Sequence, residues 1–149
     1  MFLLIDDNWL ALSGWIAILE RADFEVGRNN DAERAIKFFD ENSHKINCVL
    51  LDIMMPAPAE WREHSAGGKR TGIVVADKLR EVNPELPILF LTNQRDAAVI
   101  AQLRQYPRSR YIDKREVRPE TFVKLVERLL AEINDDLADP PAQPATATE

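Results

Sequence analysis

The chain has a single cysteine and only five glycines, and none of its apolar runs approaches the roughly 18 residues of a membrane span. Cys48 alone can form no internal disulfide, and a cysteine-based zinc site needs several thiolates. It lies in the largely apolar stretch 46–51, where a buried, inert thiol is expected. Positive charge is also scarce, with 19 Lys and Arg against 25 Asp and Glu and a formal net charge of −6. That balance removes any general attraction for nucleic acid or an anionic membrane, and no basic stripe or helix-turn-helix pattern offsets it. The opening residues, MFLLIDDN, lack a basic n-region and run at once into two aspartates, so they do not read as a secretory leader. The expectation is a cytoplasmic protein that touches neither membrane nor nucleic acid directly.

What is present is apolar and regular. Hydrophobic residues make up 46% of the 149, enough for the core of one domain. Short apolar runs at 2–5, 24–26, 48–51, 88–91 and 111–112 are too uniform for strands with one wet face, and fit strands of a parallel sheet buried on both faces. Amphipathic stretches lie between them. Trp9, Leu12, Trp15, Ile16 and Leu19 recur at helical steps. Asp31 is placed to cap a second helix with Ala35, Ile36 and Phe39 inward. Val74, Val75, Leu79 and Val82 mark a third helix, stopped near Pro84. Residues 96–106 carry a fourth. Pro119 opens a fifth, the strongest, with the apolar residues Phe122, Val123, Leu125, Val126, Leu129, Leu130 and Ile133. Strand–helix alternation of this kind predicts an α/β doubly wound domain with five strands and five helices. Residues 1–134 form that domain, and 135–149, rich in Ala, Pro, Thr and acid, are expected to be a disordered tail. Between Pro56 and Gly72 lies a polar segment too long for an ordinary connection. His64 with Glu60 and Glu63 in it matches no metal-ligand spacing and is expected to be solvated.

Chemistry-bearing residues stand at the ends of the apolar runs. Asp6 and Asp7 follow the first and Asp52 follows the third. Carboxyl ends of neighbouring parallel strands open into one crevice, so three like charges would meet there and require a compensating cation. Mg²⁺, a hard ion that takes oxygen ligands and keeps waters a phosphate can displace, is the natural choice. Thr92 after the fourth run offers a hydroxyl, and Lys114 after the fifth offers a compact mobile cation. A carboxylate nucleophile, a divalent ion, a hydroxyl and an ammonium are the requirements of phosphoryl transfer to an aspartate. Taken singly each residue has a plainer reading. Asp7 or Asn8 would cap the first helix, Thr92 would sit in a turn, and Lys114 would be a solvated charge.

This set resembles the receiver domains of two-component response regulators. The likeness covers residues 2–134 and is carried by LLIDDN, by VLLDIMMP around Asp52, by LFLT at Thr92 and by YIDK at Lys114. It implies a flavodoxin-like sheet of order 2-1-3-4-5. It also implies that Asp52 accepts a phosphoryl group from a histidine kinase, a phosphotransfer protein or a small phosphodonor. Asp7, Asp52 and the Met54 carbonyl would hold Mg²⁺, with Asp6 acting directly or through water. Thr92 and Tyr111 would form the switch that remodels a protein-binding surface for a downstream effector. The protein would be a stand-alone signalling domain rather than an enzyme, apart from slow self-dephosphorylation, and homodimer pairing is left open. The alternative is a pseudo-receiver that binds partners independently of phosphorylation. A phosphatase with an aspartate nucleophile is disfavoured, because Met54 occupies the place of its general acid. Three departures from the family pattern stand out. Arg115 follows Lys114 where proline is usual, Asn93 replaces a small residue after Thr92, and the segment after Pro56 is about ten residues longer than usual. That segment is expected near the mouth of the site.

Overall fold

A computed structural model describes residues 1–138; the expected tail lies outside the described residues from 139 onward. Five parallel strands, β1 (Phe2–Ile5), β2 (Val26–Asn29), β3 (Cys48–Asp52), β4 (Ile88–Thr92) and β5 (Ser109–Asp113), form one sheet of order β2-β1-β3-β4-β5. The helices are α1 (Ser13–Arg21), α2 (Ala32–Asn42), α3 (Arg62–Ser65), α4 (Thr71–Val82), α5 (Ala97–Gln105) and α6 (Phe122–Ala138). The sixth helix, against five expected, is the single turn α3 inside the long 56–72 segment. None of the described helices is long and apolar enough to cross a membrane.

Period-two alternation along the strands sorts the core into two layers. Leu3, Ile5, Val49, Leu51, Ile88 and Phe90 face α2, α4 and α5, while Phe2, Leu4, Cys48, Leu50, Leu89 and Leu91 face α1 and α6. The three central strands are buried along their whole length, which is why they read as unbroken apolar runs. The edge strands β2 and β5 are only partly covered, and their sequences VGRN and SRYID show it.

Side-chain caps open two of the helices. The Asp31 carboxylate accepts from the Arg34 amide at 2.9 Å and opens α2, and Asp96 does the same for α5 through the amides of Ala98 and Val99. The first helix starts later than its apolar spacing suggests. Residues 8–12 wind as tight turns, with Leu12 at the cap position and no side-chain cap. Neither Asp7 nor Asn8 therefore caps α1, and both stay free of that duty. At the other end α6 runs four residues past Asn134, as Arg110 from β5 bonds Glu132 at 3.2 Å and Asp136 at 3.0 Å along its flank.

The long segment is a folded element. Trp61 packs against the α2–α4–α5 layer with the Lys78 ammonium 5.3 Å over its ring. Ser65 is fully buried, and its carbonyl accepts from Gly68 and Arg70 as the chain turns back. Ala66, Gly67 and Gly68 make that turn in the left-handed region, which two glycines make inexpensive.

Candidate functional site

Connectivity reverses between β1 and β3: from β1 the chain goes first to β2 on one side and then to β3 on the other. In open parallel sheets ligands bind at this switch point, outside the carboxyl ends. Ile5 pairs with Leu51, and one further step in register sets Asp6 beside Asp52. The alternation that turns Leu4 and Leu50 toward α1 and α6 sends Asp6 and Asp52 to the same side, and Ile112 does likewise for Lys114 two residues on.

The result is an open cleft of about 480 Å³ lined by Asp6, Asp7, Asp52 and Lys114, with Trp15 and Asn93 at its walls. One carboxylate oxygen from each of Asp6, Asp7 and Asp52 lies within 4.8 Å of the others. Lys114 Nζ bonds Asp6 Oδ2 at 2.7 Å and stands 3.4 Å from Asp52 Oδ2. The remaining oxygens are aimed by backbone amides: Asp6 Oδ1 accepts from Asn8 at 2.8 Å and Asp52 Oδ1 from Met54 at 3.3 Å. Asp6 and Asp52 are buried, whereas Asp7 is exposed at the rim.

Burial pushes the Asp52 carboxyl up to about 6; Lys114 pulls it down and Asp6 adds to the rise. Asp7 is also raised, by burial first and by the charge of Asp6 second. Three hard oxygen donors held this close, with charge their one lysine does not balance, suit a divalent cation such as Mg²⁺. His64, Glu60 and Glu63 do not join any metal-type cluster among the described residues.

Thr92 and Tyr111 fall on the opposite face of the sheet. Thr92 is buried, does not line the cleft, and its hydroxyl accepts from the Gln94 amide at 2.9 Å. Tyr111 is half-buried against the α2–α4–α5 layer, in register with Phe90. Residues of the 56–70 segment do not line the cleft itself; its Trp61 packs on the α4 side, while its base stays against the end of β3.

One feature of the site was not singled out in the sequence, and another stood out there only as a departure from the family pattern. Gly72, the second residue of α4, lies so close to β3 that a Cβ there would come 2.2 Å from the Asp52 carbonyl oxygen. A glycine early in a helix after an acidic strand end was the available signal. The second feature is the loop after Lys114. Arg115 forms a two-pronged ion pair with Asp113, and its amide bonds the same carboxylate at 2.9 Å. The Lys114 amide is held by the Thr92 carbonyl at 3.0 Å. Arg115 therefore braces the lysine loop by side-chain pairing at the position the family usually fills with proline. The pair lowers the Asp113 carboxyl to about 2. In Arg115→Ala an NMR titration of Asp113 should move up toward the ordinary 3.8; an unmoved titration would show that the pair does not form in solution.

The model of the response regulator receiver domain family matches residues 2–127, and the chain belongs to that family. No curated protein matches it significantly. Among solved structures, a response regulator receiver protein from Sinorhizobium medicae WSM419 is 24% identical with a TM-score of 0.67, over 89% of this chain and 94% of that one. A CheY-like receiver domain protein from Methanospirillum hungatei JF-1 gives 20% and 0.67, over 91% and 96%. The receiver domain of the hybrid histidine kinase CckA gives 19% and 0.63, over 87% and 97%. At these identities the structures establish the fold. Receiver domains are phosphoacceptor modules of two-component signalling that in general bind Mg²⁺ and engage histidine kinases and effectors.

Proposed function

We propose that this receiver accepts a phosphoryl group on Asp52 from a histidine kinase or phosphotransfer protein in the cytoplasm, and signals by altered contacts with an effector protein. One observation carries the reading: a buried Asp52 carboxylate flanked by Asp6 and the Lys114 ammonium at the switch point of the sheet. An Asp52 oxygen attacks phosphorus while the bond to the donor breaks, and the donor keeps that electron pair. Asp7, Asp52 and the Met54 carbonyl would hold Mg²⁺, with Asp6 acting directly or through water. When bound, the ion supplies positive charge against the phosphoryl oxygens. Lys114 exchanges part of its contact with Asp6 for one of those oxygens. Thr92 moves from the other sheet face toward the phosphoryl group and donates its hydroxyl proton to another of the oxygens, and Tyr111, on the same sheet face as Thr92, follows it inward. Slow self-dephosphorylation is part of the proposal.

Acetyl phosphate with Mg²⁺ should add one phosphoryl group to the wild type, seen by intact-mass spectrometry, and none to Asp52→Asn. A wild type left unmodified at saturating Mg²⁺ would rule the reading out. Partner affinity unaltered by Asp52→Asn and by phosphorylation would identify a pseudo-receiver instead.

A further inference from the structure

The segment between Pro56 and Gly72 stays out of the acidic cleft, yet its base grips the exit of β3 at three points. The Thr71 hydroxyl, fully buried, donates to the Met55 carbonyl at 2.5 Å. The Gly72 amide donates to the Ile53 carbonyl at 2.9 Å. Gly68, at φ +95°, lies so close that a Cβ would stand 3.0 Å from the Met55 carbonyl oxygen. The carbonyls on both sides of Met54 are thus held from one short stretch of chain. Between them, the Met54 carbonyl accepts no hydrogen bond from the described residues. The hydroxyl also reaches the Gly68 carbonyl, but at 3.3 Å, so the Met55 bond is the shorter of its two, and losing it would strip the Met55 carbonyl of that donor.

We propose that Thr71 is a positioning residue for the cation site: its hydroxyl fixes the Met55 peptide and thereby the direction in which the Met54 carbonyl is presented to the ion. The inference rests on the reading of Asp7, Asp52 and Met54 as ligands given above. It gives the inserted segment a task, since the residue that orients the ligand loop is the one that closes the insertion. Partners that orient metal ligands typically change affinity 10–100-fold when removed. One hydroxyl acting through one peptide unit belongs at the lower end, about tenfold.

The test is a Mg²⁺ titration of the full chain followed by tryptophan fluorescence, because Trp15 lines the cleft. Thr71→Val keeps the shape and loses the hydroxyl, and its Mg²⁺ Kd should rise about tenfold. Thr71→Ser keeps the hydroxyl and loses the methyl, and should bind as the wild type does. A role in packing alone reverses this order, with Ser the weaker binder and Val unaffected, and overturns the proposal. If Thr71→Val does not fold, Gly68→Ala, which presses on the same carbonyl, takes its place; unchanged Mg²⁺ affinity there also overturns it. A wild type blind to Mg²⁺ removes the cation reading and this inference together. A wild type that responds, matched by an equal response from Thr71→Val, removes only the role of Thr71.

Discussion

Gly72→Ala is expected to destabilise the domain by about 3 kcal/mol or more, at or beyond the upper end of ordinary overpacking. The added methyl would lie 2.2 Å from the Asp52 carbonyl oxygen and 2.7 Å from Ile53 Cα. Both are backbone atoms, so neither can swing aside as a flexible side chain would. Either the start of α4 or the end of β3 must move, and the second of these carries Asp52. A displacement near 1 Å at a reacting group costs on the order of 10²-fold in rate, so phosphorylation by acetyl phosphate should fall by about that factor even in the folded fraction. Gly14→Ala is the control. It sits in α1 with no atom within 4 Å of the new methyl, and replacing glycine in a helix should stabilise by roughly 0.5–1 kcal/mol. Urea denaturation of the two variants should therefore give shifts of opposite sign. Equal midpoints for Gly72→Ala and wild type would contradict the close approach of α4 to β3.

Asp52→Asn should make the metal-free protein more stable near neutral pH. Burial raises the folded carboxyl to about 6 from an ordinary 3.8, so between those values the native state binds more protons than the unfolded chain. The favourable contribution of the protonated form is fully present below pH 3.8 and is lost as pH rises through 6. Above that the ionised group costs about 2–3 kcal/mol, taking 1.36 kcal/mol per unit. Asparagine removes the charge and its cost, so the gain should be largest above pH 7 and vanish toward pH 4. Mg²⁺ should reverse the comparison, because an ion that binds only the native state stabilises in proportion to its occupancy. Wild type should gain from Mg²⁺ and the variant little. Thermal melts across pH with and without Mg²⁺ check both parts; an Asn variant no more stable than wild type at pH 7.5 would contradict the penalty for burying Asp52.

How far the strands could be read depended on their place in the sheet. β1 is the run 2–5 itself, and β3 and β4 exceed theirs by only the polar residue at the end, because central strands are apolar on both faces and carry an unbroken signal. β2 begins two residues after the start of the run 24–26, since Phe24 packs against the core ahead of the strand and the edge strand itself, VGRN, is part-exposed. β5 proved longer than its two-residue run for the same reason, its half-covered faces admitting Ser109, Arg110 and Asp113. The spacing of Trp9 and Leu12 suggested an early start for α1. Those residues pack inward from tight turns instead, a case where apolar periodicity continues past the helix.

The sequence by itself determined the two-layered α/β class, the five strand positions to within a few residues, and the order in which carboxylates, hydroxyl and ammonium meet the strand ends. It could do so because burial on both faces and the period of two are local properties of the chain. Only the tertiary structure decided which of those groups share a space. Asp6, Asp52 and Lys114 are brought within hydrogen-bonding reach by register across residues as much as 108 apart, while Thr92 and Tyr111 turn to the other face. The close approach of Gly72 to Asp52 and the grip of Thr71 on Met55 likewise depend on how α4 docks against β3. Contacts of that kind come from long-range packing, which no local pattern around residues 52–72 records.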